Sequence, residues 1–300
     1  MDASYLSKNA GLVNFGNTCF MNASIQLLMC ATVLGSFLIF SEKKFSESDI
    51  TKYIQTWKDY MNPETVILGP KIMYHRYMVL NLNYVGFTQE DSHEFLTFTL
   101  DDIYEQIKHS VNISELNEDQ KNRLLEEFNK IYKIKFSQTV YYKNKNETSK
   151  TEVCENILTL PIPTEDSLNR LEDCVNLYRN QEEDDFKIEY ELIKMPKYLF
   201  IGLKRFRVTS AFIQKIDKEI EIPFETKCFD EKTDYKLKGF IMHSGGVFGG
   251  HYYAYGTRKI NDEIKWFCYN DTNVTEVTIE QVTVESKKAY LFLYSKKIKN

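Results

Sequence analysis

Cys19 is the residue around which a reaction can be built. It follows GLVNFGNT, where Gly11, Asn14, Gly16 and Asn17 favour turns, and it precedes an apolar run at helical spacing. A cysteine that opens a helix faces unpaired N–H groups and the positive end of the helix dipole, both of which favour a thiolate. The preceding turn can aim a backbone N–H or the Asn14 amide at a developing oxyanion. The plain alternative is a buried small hydrophobe, which is what most free cysteines are. A thiol nucleophile needs a base, and five histidines are available: 75, 93, 109, 243 and 251. The first three fall in helical patterns and read as packing or surface residues. His243 and His251 flank SGGVFGG, a loop that can open or let backbone approach a substrate closely. His251 opens a strand that would hold its ring, which favours it, with His243 as competitor. A base also needs an orienting partner. Asn270 and Asp271 follow the strand IKWFCY, and either can accept the imidazole N–H, although Asn-Asp-Thr-Asn is also good turn composition.

The elements that must position these groups fall in two halves. Residues 19–35 read as a helix, as do 46–60 and 68–79. Residues 88–109 carry an apolar stripe of Leu96, Leu100, Ile103 and Ile107, with Thr88 and Asp91 spaced as a capping box. Another helix covers 118–133. From Ile134 the pattern turns to alternation, with strands expected at 197–206, 235–243, 251–257, 264–269 and 289–294. Residues 143–150 read as a hairpin tip and Glu182–Asp185 as an exposed acidic loop. Helices first and antiparallel strands second is an α+β plan. The expected layout is a single domain over 1–300, with a helical lobe at about 11–133 and a β-rich part at about 134–300. The terminal lysines 296, 297 and 299 read as a solvated tail.

Composition narrows the classes. The 300 residues carry 38 Lys+Arg against 43 Asp+Glu, a formal charge of −5, which does not suit a phosphate-binding surface. No nucleic-acid partner is expected. Glycine (12) and proline (6) are scarce, which excludes collagen-like and linker-rich chains. Cysteines at 19, 30, 154, 174, 228 and 268 form no CxxC pair, so neither a disulfide scaffold nor a metal site is expected. The first ten residues are polar, and the longest apolar run, Ile25–Phe40, is interrupted and short for a membrane span. An intracellular protein, cytoplasmic or nuclear, without membrane attachment is the expectation. The formal glycosylation sequons at Asn22 and Asn270 flank the candidate site, which agrees with it.

Five blocks, in order, resemble the ubiquitin-specific protease family of deubiquitinating enzymes. GLVNFGNTCFMNASIQLL is similar to its cysteine box, and GFTQEDSHEFLTFTLDDI to its glutamine-aspartate box. PKYLFIGLKRF resembles the strand that ends in Leu-Lys-Arg-Phe. YKLKGFIMHSGGVFGGHYYAY with WFCYNDTNVTEV resembles the histidine box, and AYLFLYSK the closing strand. The resemblance implies a papain-like fold with a helical thumb, an antiparallel β palm and β-fingers. It implies Cys19 as nucleophile, His251 as general base and acid, Asn270 as third member assisted by Asp271, and Asn14 at the oxyanion. It makes His243 a loop residue. It further implies that Asp91 and Glu94 grip the arginine-rich tail of ubiquitin, and that Gly249, Gly250 and Tyr252 line a narrow channel for its diglycine end. The implied partners are ubiquitin and ubiquitinated proteins, with a monomeric enzyme and no cofactor.

One region departs from the family. Many members hold a zinc between two CxxC pairs at the tips of long fingers, and here the first tip reads YYKNKNETSK. Short, zinc-free fingers are expected. The residues leave two alternatives open: a ubiquitin-binding chain without turnover, and a protease for a ubiquitin-like modifier.

Overall fold

The computed structural model describes residues 9–297 apart from 46–48, 63, 82–83, 85, 87, 146, 209–212 and 247–248. The first half contains β1 (Gly11–Leu12), α1 (Cys19–Met29), α2 (Thr32–Ser41), α3 (Ile50–Met61), β2 (Ile67–Leu68), α4 (Lys71–Leu80), α5 (Ser92–Asn112) and α6 (Glu118–Tyr132). Every residue of α1 is buried, as a central helix apolar on all sides must be. The single helix expected over 19–35 is two. The chain bends by 80° between α1 and the segment that follows it. Cys30 ends α1, its N–H bonding back to Leu27 and Leu28 carbonyls while Arg258 Nη1 donates to its sulfur. The apolar run therefore continues in a new direction. The helix expected from 46 begins at Ile50, and 46–48 lie outside the described residues.

The helix expected from 88 begins at Ser92. Asp91, not Thr88, is its cap: Asp91 Oδ1 accepts from His93 N at 2.6 Å, and Thr88 Oγ1 donates to Glu90 instead at 2.9 Å. The shorter helix keeps its stripe, with Leu96, Leu100, Ile103 and Ile107 all buried. A reciprocal Asn117/Gln120 capping box starts α6.

The second half contains β3 (Ile134–Tyr142), β4 (Glu147–Glu155), β5 (Ile157–Leu160), α7 (Leu171–Arg179), β6 (Asn180–Glu182), β7 (Phe186–Lys194), β8 (Tyr198–Leu203), β9 (Phe206–Val208), β10 (Ile213–Lys215), β11 (Glu225–Thr226), β12 (Tyr235–Gly246), β13 (Gly249–Ile260), β14 (Glu263–Asn270), β15 (Asn273–Val277), α8 (Ile279–Ser286) and β16 (Leu291–Lys296). The large sheet runs β15-β14-β13-β12-β16-β8-β5, with β11 beside β12. Its pairs are antiparallel except β5 with β8. Residues of α1 and the other early helices share one core with Ile241, Tyr252, Ala254, Phe267, Tyr269, Leu291 and Leu293 of the sheet. The opposite face is closed by Leu171, Cys174 and Val175 of α7 and Val282 of α8.

Two expected features differ. The strand expected over 197–206 breaks after Leu203, because the buried Arg205 guanidinium donates to the carbonyls of Ala289 (2.8 Å), Lys287 (3.0 Å), Ile216 (3.0 Å) and Lys218 (2.8 Å). SGGVFGG is not a loop but a β-hairpin. Gly245 pairs with Gly250 and Gly246 with Gly249, while Val247 and Phe248 lie outside the described residues. His243 accordingly sits in strand β12, opposite Tyr252.

The fingers form a separate sheet, β4-β3-β7-β6. Their strands are not short, since β3, β4 and β7 have nine residues each. The economy is in the tips. Lys143 Nζ donates to Glu183 O at 2.8 Å and pairs with Glu182 at 2.9 Å, and Asn144 Nδ2 donates to Asp185 Oδ1 at 2.6 Å. These bonds join the β3–β4 turn to the exposed acidic β6–β7 turn. Cys154 is exposed and Cys174 buried, and among the described residues no group of three His, Cys, Asp or Glu side chains is placed to hold a metal.

Candidate active site

Cys19 is the first residue of α1 and is buried. The turn before it is built by backbone that glycine and asparagine tolerate, with φ of 99° at Gly16 and 53° at Asn17. Asn14 closes this turn. Its Oδ1 accepts from Gly16 N (2.9 Å), Thr18 N (3.1 Å) and Thr18 Oγ1 (3.1 Å). Across the cleft, the Tyr252 backbone on β13 comes close enough to the Cys19 thiol to lower its pKa. That contact lies one residue from His251.

His251 Nε2 is 2.6 Å from Asn270 Oδ1. An amide oxygen accepts, so Nε2 carries the proton and Nδ1 keeps a lone pair. Asn270 ends β14 and pairs with Asn273, and Asp271 turns the chain between them at φ 51°. Of the two alternatives for the imidazole partner, Asn270 holds the position. Asp271 faces the other way. Its Oδ2 accepts from Asn14 Nδ2 at 2.9 Å, and its Oδ1 from Asn22 Nδ2 at 2.7 Å. One carboxylate thus ties the turn before Cys19 and the helix after it to the sheet.

The thiol does not behave as a helix N-terminus alone would dictate. Burial raises the Cys19 pKa most, and the negative Asp271 adds to the rise. Hydrogen bonds from Tyr252, Phe20 and Cys19 backbone lower it without reversing the sum. Desolvation of a charge in this buried spot outweighs the dipole. His243 is pushed down to about 4, first by burial and then by Lys215, and its Nδ1 has no hydrogen-bond partner among the described residues. Its ring lies 4.6 Å from the Tyr252 ring, tilted by 45°, as a neutral packing group.

The expected substrate residues are less uniform. Asp91 is the α5 cap and also accepts from Tyr290 OH at 2.8 and 3.0 Å. Glu94 is exposed, with its carboxyl pKa raised by burial and by Asp91 and Glu90. Gly249 and Gly250 begin β13 beside the cleft. The Tyr252 ring is buried, and its backbone is the part that lowers the Cys19 pKa. Sequence reasoning did not single out Asn22 or Gln89. Asn22 stands one helical turn after Cys19, which is a usable signal. Gln89 makes its bonds to backbone of Gly250, which no side-chain pattern reveals.

A thiol at a helix start, and on the neighbouring sheet a histidine hydrogen-bonded to an amide, are the groups a cysteine hydrolase uses. The chain belongs to the family described as ubiquitin carboxyl-terminal hydrolase (UCH), whose pattern matches residues 10–294. Ubiquitin carboxyl-terminal hydrolase 3 of Homo sapiens is 26% identical over 95% of this chain and 67% of its own length. Ubiquitin carboxyl-terminal hydrolase Usp2 of Drosophila melanogaster is 25% identical over 95% of this chain and 34% of its own. The chain thus spans between a third and two thirds of these relatives. In fold it is similar to a chain of the SAGA Ubp8/Sgf11/Sus1/Sgf73 DUB module bound to ubiquitin aldehyde, with TM-score 0.74, 22% identity and coverage of 99% of this chain and 71% of that one.

Proposed function

We propose that the chain is a cysteine-type deubiquitinase that hydrolyses the bond after the C-terminal glycine of ubiquitin. The observation that carries this reading is the His251–Asn270 contact beside the Tyr252–Cys19 contact. Burial keeps Cys19 a thiol in the free protein, so His251 Nδ1 takes its proton as sulfur attacks the carbonyl. The carbon–sulfur bond forms and the carbonyl oxygen becomes an oxyanion. Asn14 Nδ2 and the Cys19 N–H donate to that oxyanion. The imidazolium then protonates the leaving lysine amine as the amide bond breaks. Water, deprotonated by His251, attacks the thioester, and the thiol returns with its proton. Asp271 holds Asn14 in place through the whole cycle.

The substrate reading rests on Glu90, Asp91 and Glu94 at the head of α5, a negative mouth suited to a basic tail. The bonded glycine hairpin admits only small residues. The enzyme acts as one catalytic unit inside the cell and as a monomer, with ubiquitin conjugates as its partners. Ubiquitin carrying a C-terminal thiol-reactive group tests this directly, with the same probe built on ubiquitin-like modifiers beside it. Covalent labelling by the ubiquitin probe, abolished in Cys19→Ala, is expected. Well-folded protein that stays unlabelled, or labels only with another modifier, overturns the assignment.

A further inference from the structure

We infer that Gln89 is a positioning residue for His251. Its carboxamide donates from Nε2 to Gly250 O at 2.9 Å and accepts at Oε1 from Gly250 N at 2.9 Å. That is the double exchange a residue on a neighbouring β-strand would make. Among the described residues no strand occupies that place. β14 pairs with β13 only from Ala254 onward, so the edge of residues 249–253 faces the cleft. On its other side β13 is paired with β12 through a ladder containing Gly245, Gly246, Gly249 and Gly250. A hairpin this rich in glycine has little stiffness of its own, because glycine loses the most backbone freedom on ordering.

Gln89 acts as a one-residue substitute for the absent strand. It grips the residue immediately before His251, and the next group on the same edge, Tyr252, is the one that reaches Cys19. Gln89 stands two residues ahead of the α5 cap Asp91, and Ser24 Oγ of α1 donates to Ser92 O at 3.0 Å. The helix that carries Cys19, the start of α5 and the strand that carries His251 are thereby linked in series. Glycine is required at 250 in this arrangement, since a Cβ there would run into His243 Nε2 and Ser244 O. On the opposite edge Lys215 Nζ donates to His243 O and Gly245 O at 2.9 Å each, a second brace on the same hairpin.

This inference rests on the proposed hydrolysis for its kinetic readout but not for its structural one. Hydrogen exchange of the peptide spanning 244–252 is to be compared between the native chain and Gln89→Ala. Exchange several-fold faster in that peptide, with an unchanged melting temperature, is expected. On a ubiquitin–fluorophore amide, Gln89→Ala lowers kcat about tenfold with KM within twofold, as loss of alignment does. Gln89→Glu separates positioning from bulk packing. A protonated carboxyl reproduces the donor–acceptor pair, whereas a carboxylate cannot donate to Gly250 O. The ratio of Gln89→Glu to native kcat/KM therefore rises as pH falls from 8 to about 5.5, aided by Glu90 and Asp91, which favour the neutral form. Unchanged exchange in Gln89→Ala, an unchanged kcat, or a pH-independent Gln89→Glu ratio overturns the inference. Faster exchange in a chain that no ubiquitin probe labels overturns the proposed activity and leaves the brace standing.

Discussion

Replacing Asn270 by alanine removes the acceptor that holds His251 Nε2 at 2.6 Å. When Nδ1 takes the thiol proton the ring becomes cationic, and the bond to Asn270 strengthens in the transition state. A hydrogen bond to a charged group contributes about 1.5–3 kcal/mol, or roughly 10- to 150-fold in rate. Asn270 is exposed, so water replaces part of the lost acceptor. The lower part of the range, about 10- to 30-fold in kcat/KM, is expected. Steady-state hydrolysis of a ubiquitin–fluorophore amide measures it, and Asn270→Asp, which keeps an acceptor, loses much less. Asp271→Ala costs less than Asn270→Ala and acts elsewhere. It frees Asn14 and Asn22 and removes a negative charge that raises the Cys19 pKa. Its alkylation profile at Cys19 therefore moves to lower pH, whereas that of Asn270→Ala keeps the Asp271 contribution. Near-native activity in Asn270→Ala, or a larger loss in Asp271→Ala, refutes the assignment of the third member.

Other outcomes follow from the same contacts. His243 has a folded pKa of about 4, below its ordinary value, so the unfolded chain takes up a proton first as pH falls. Stability is thus full above about pH 6.5 and declines between that value and about 4. His243→Asn flattens this decline in melting temperature against pH. Gly250→Ala forces the hairpin away from His243 and Ser244 and abolishes turnover while the far side of the sheet stays folded, as circular dichroism and the ubiquitin assay would report. A chelator leaves fold and activity intact, because the finger tips are joined by Lys143 and Asn144 to Glu182, Glu183 and Asp185. A chelator-induced unfolding transition would contradict that.

The α+β plan and the turn before Cys19 were legible because they depend on local chemistry, whereas the choice among His243, His251, Asn270 and Asp271 was carried by the family resemblance. Apolar spacing marks α5 and α6, and turn residues mark the approach to Cys19. What escaped depends on partners far along the chain. Nothing in the run 19–35 says that it bends at Cys30, because Arg258 is what takes up that side chain. Thr88 and Asp91 fit a capping pattern, yet Tyr290 recruits Asp91 to the cap position itself. The glycines around 245–250 read as a loop, and only pairing and the braces from Gln89 and Lys215 make them strand. The same holds for the Cys19 thiol, whose helix-start N–H groups lower its pKa while burial raises it more. A helix start is visible in sequence, while the burial that outweighs it is not.

The bonds of Asp271 span the chain: 257 residues separate it from Asn14 and 249 from Asn22. Arg258 and Cys30 are 228 apart. On the ribosome, the segment bearing Cys19 is therefore made long before anything that can align it. A nascent polypeptide has a helix start and a thiol but no imidazole, no amide behind it and no carboxylate to hold Asn14. Such non-local closure is slow and comes last in folding. A site assembled from segments this far apart cannot form until residues 249–271 have been made, and a product truncated before Gly249 carries Cys19 without His251, Asn270 or Asp271.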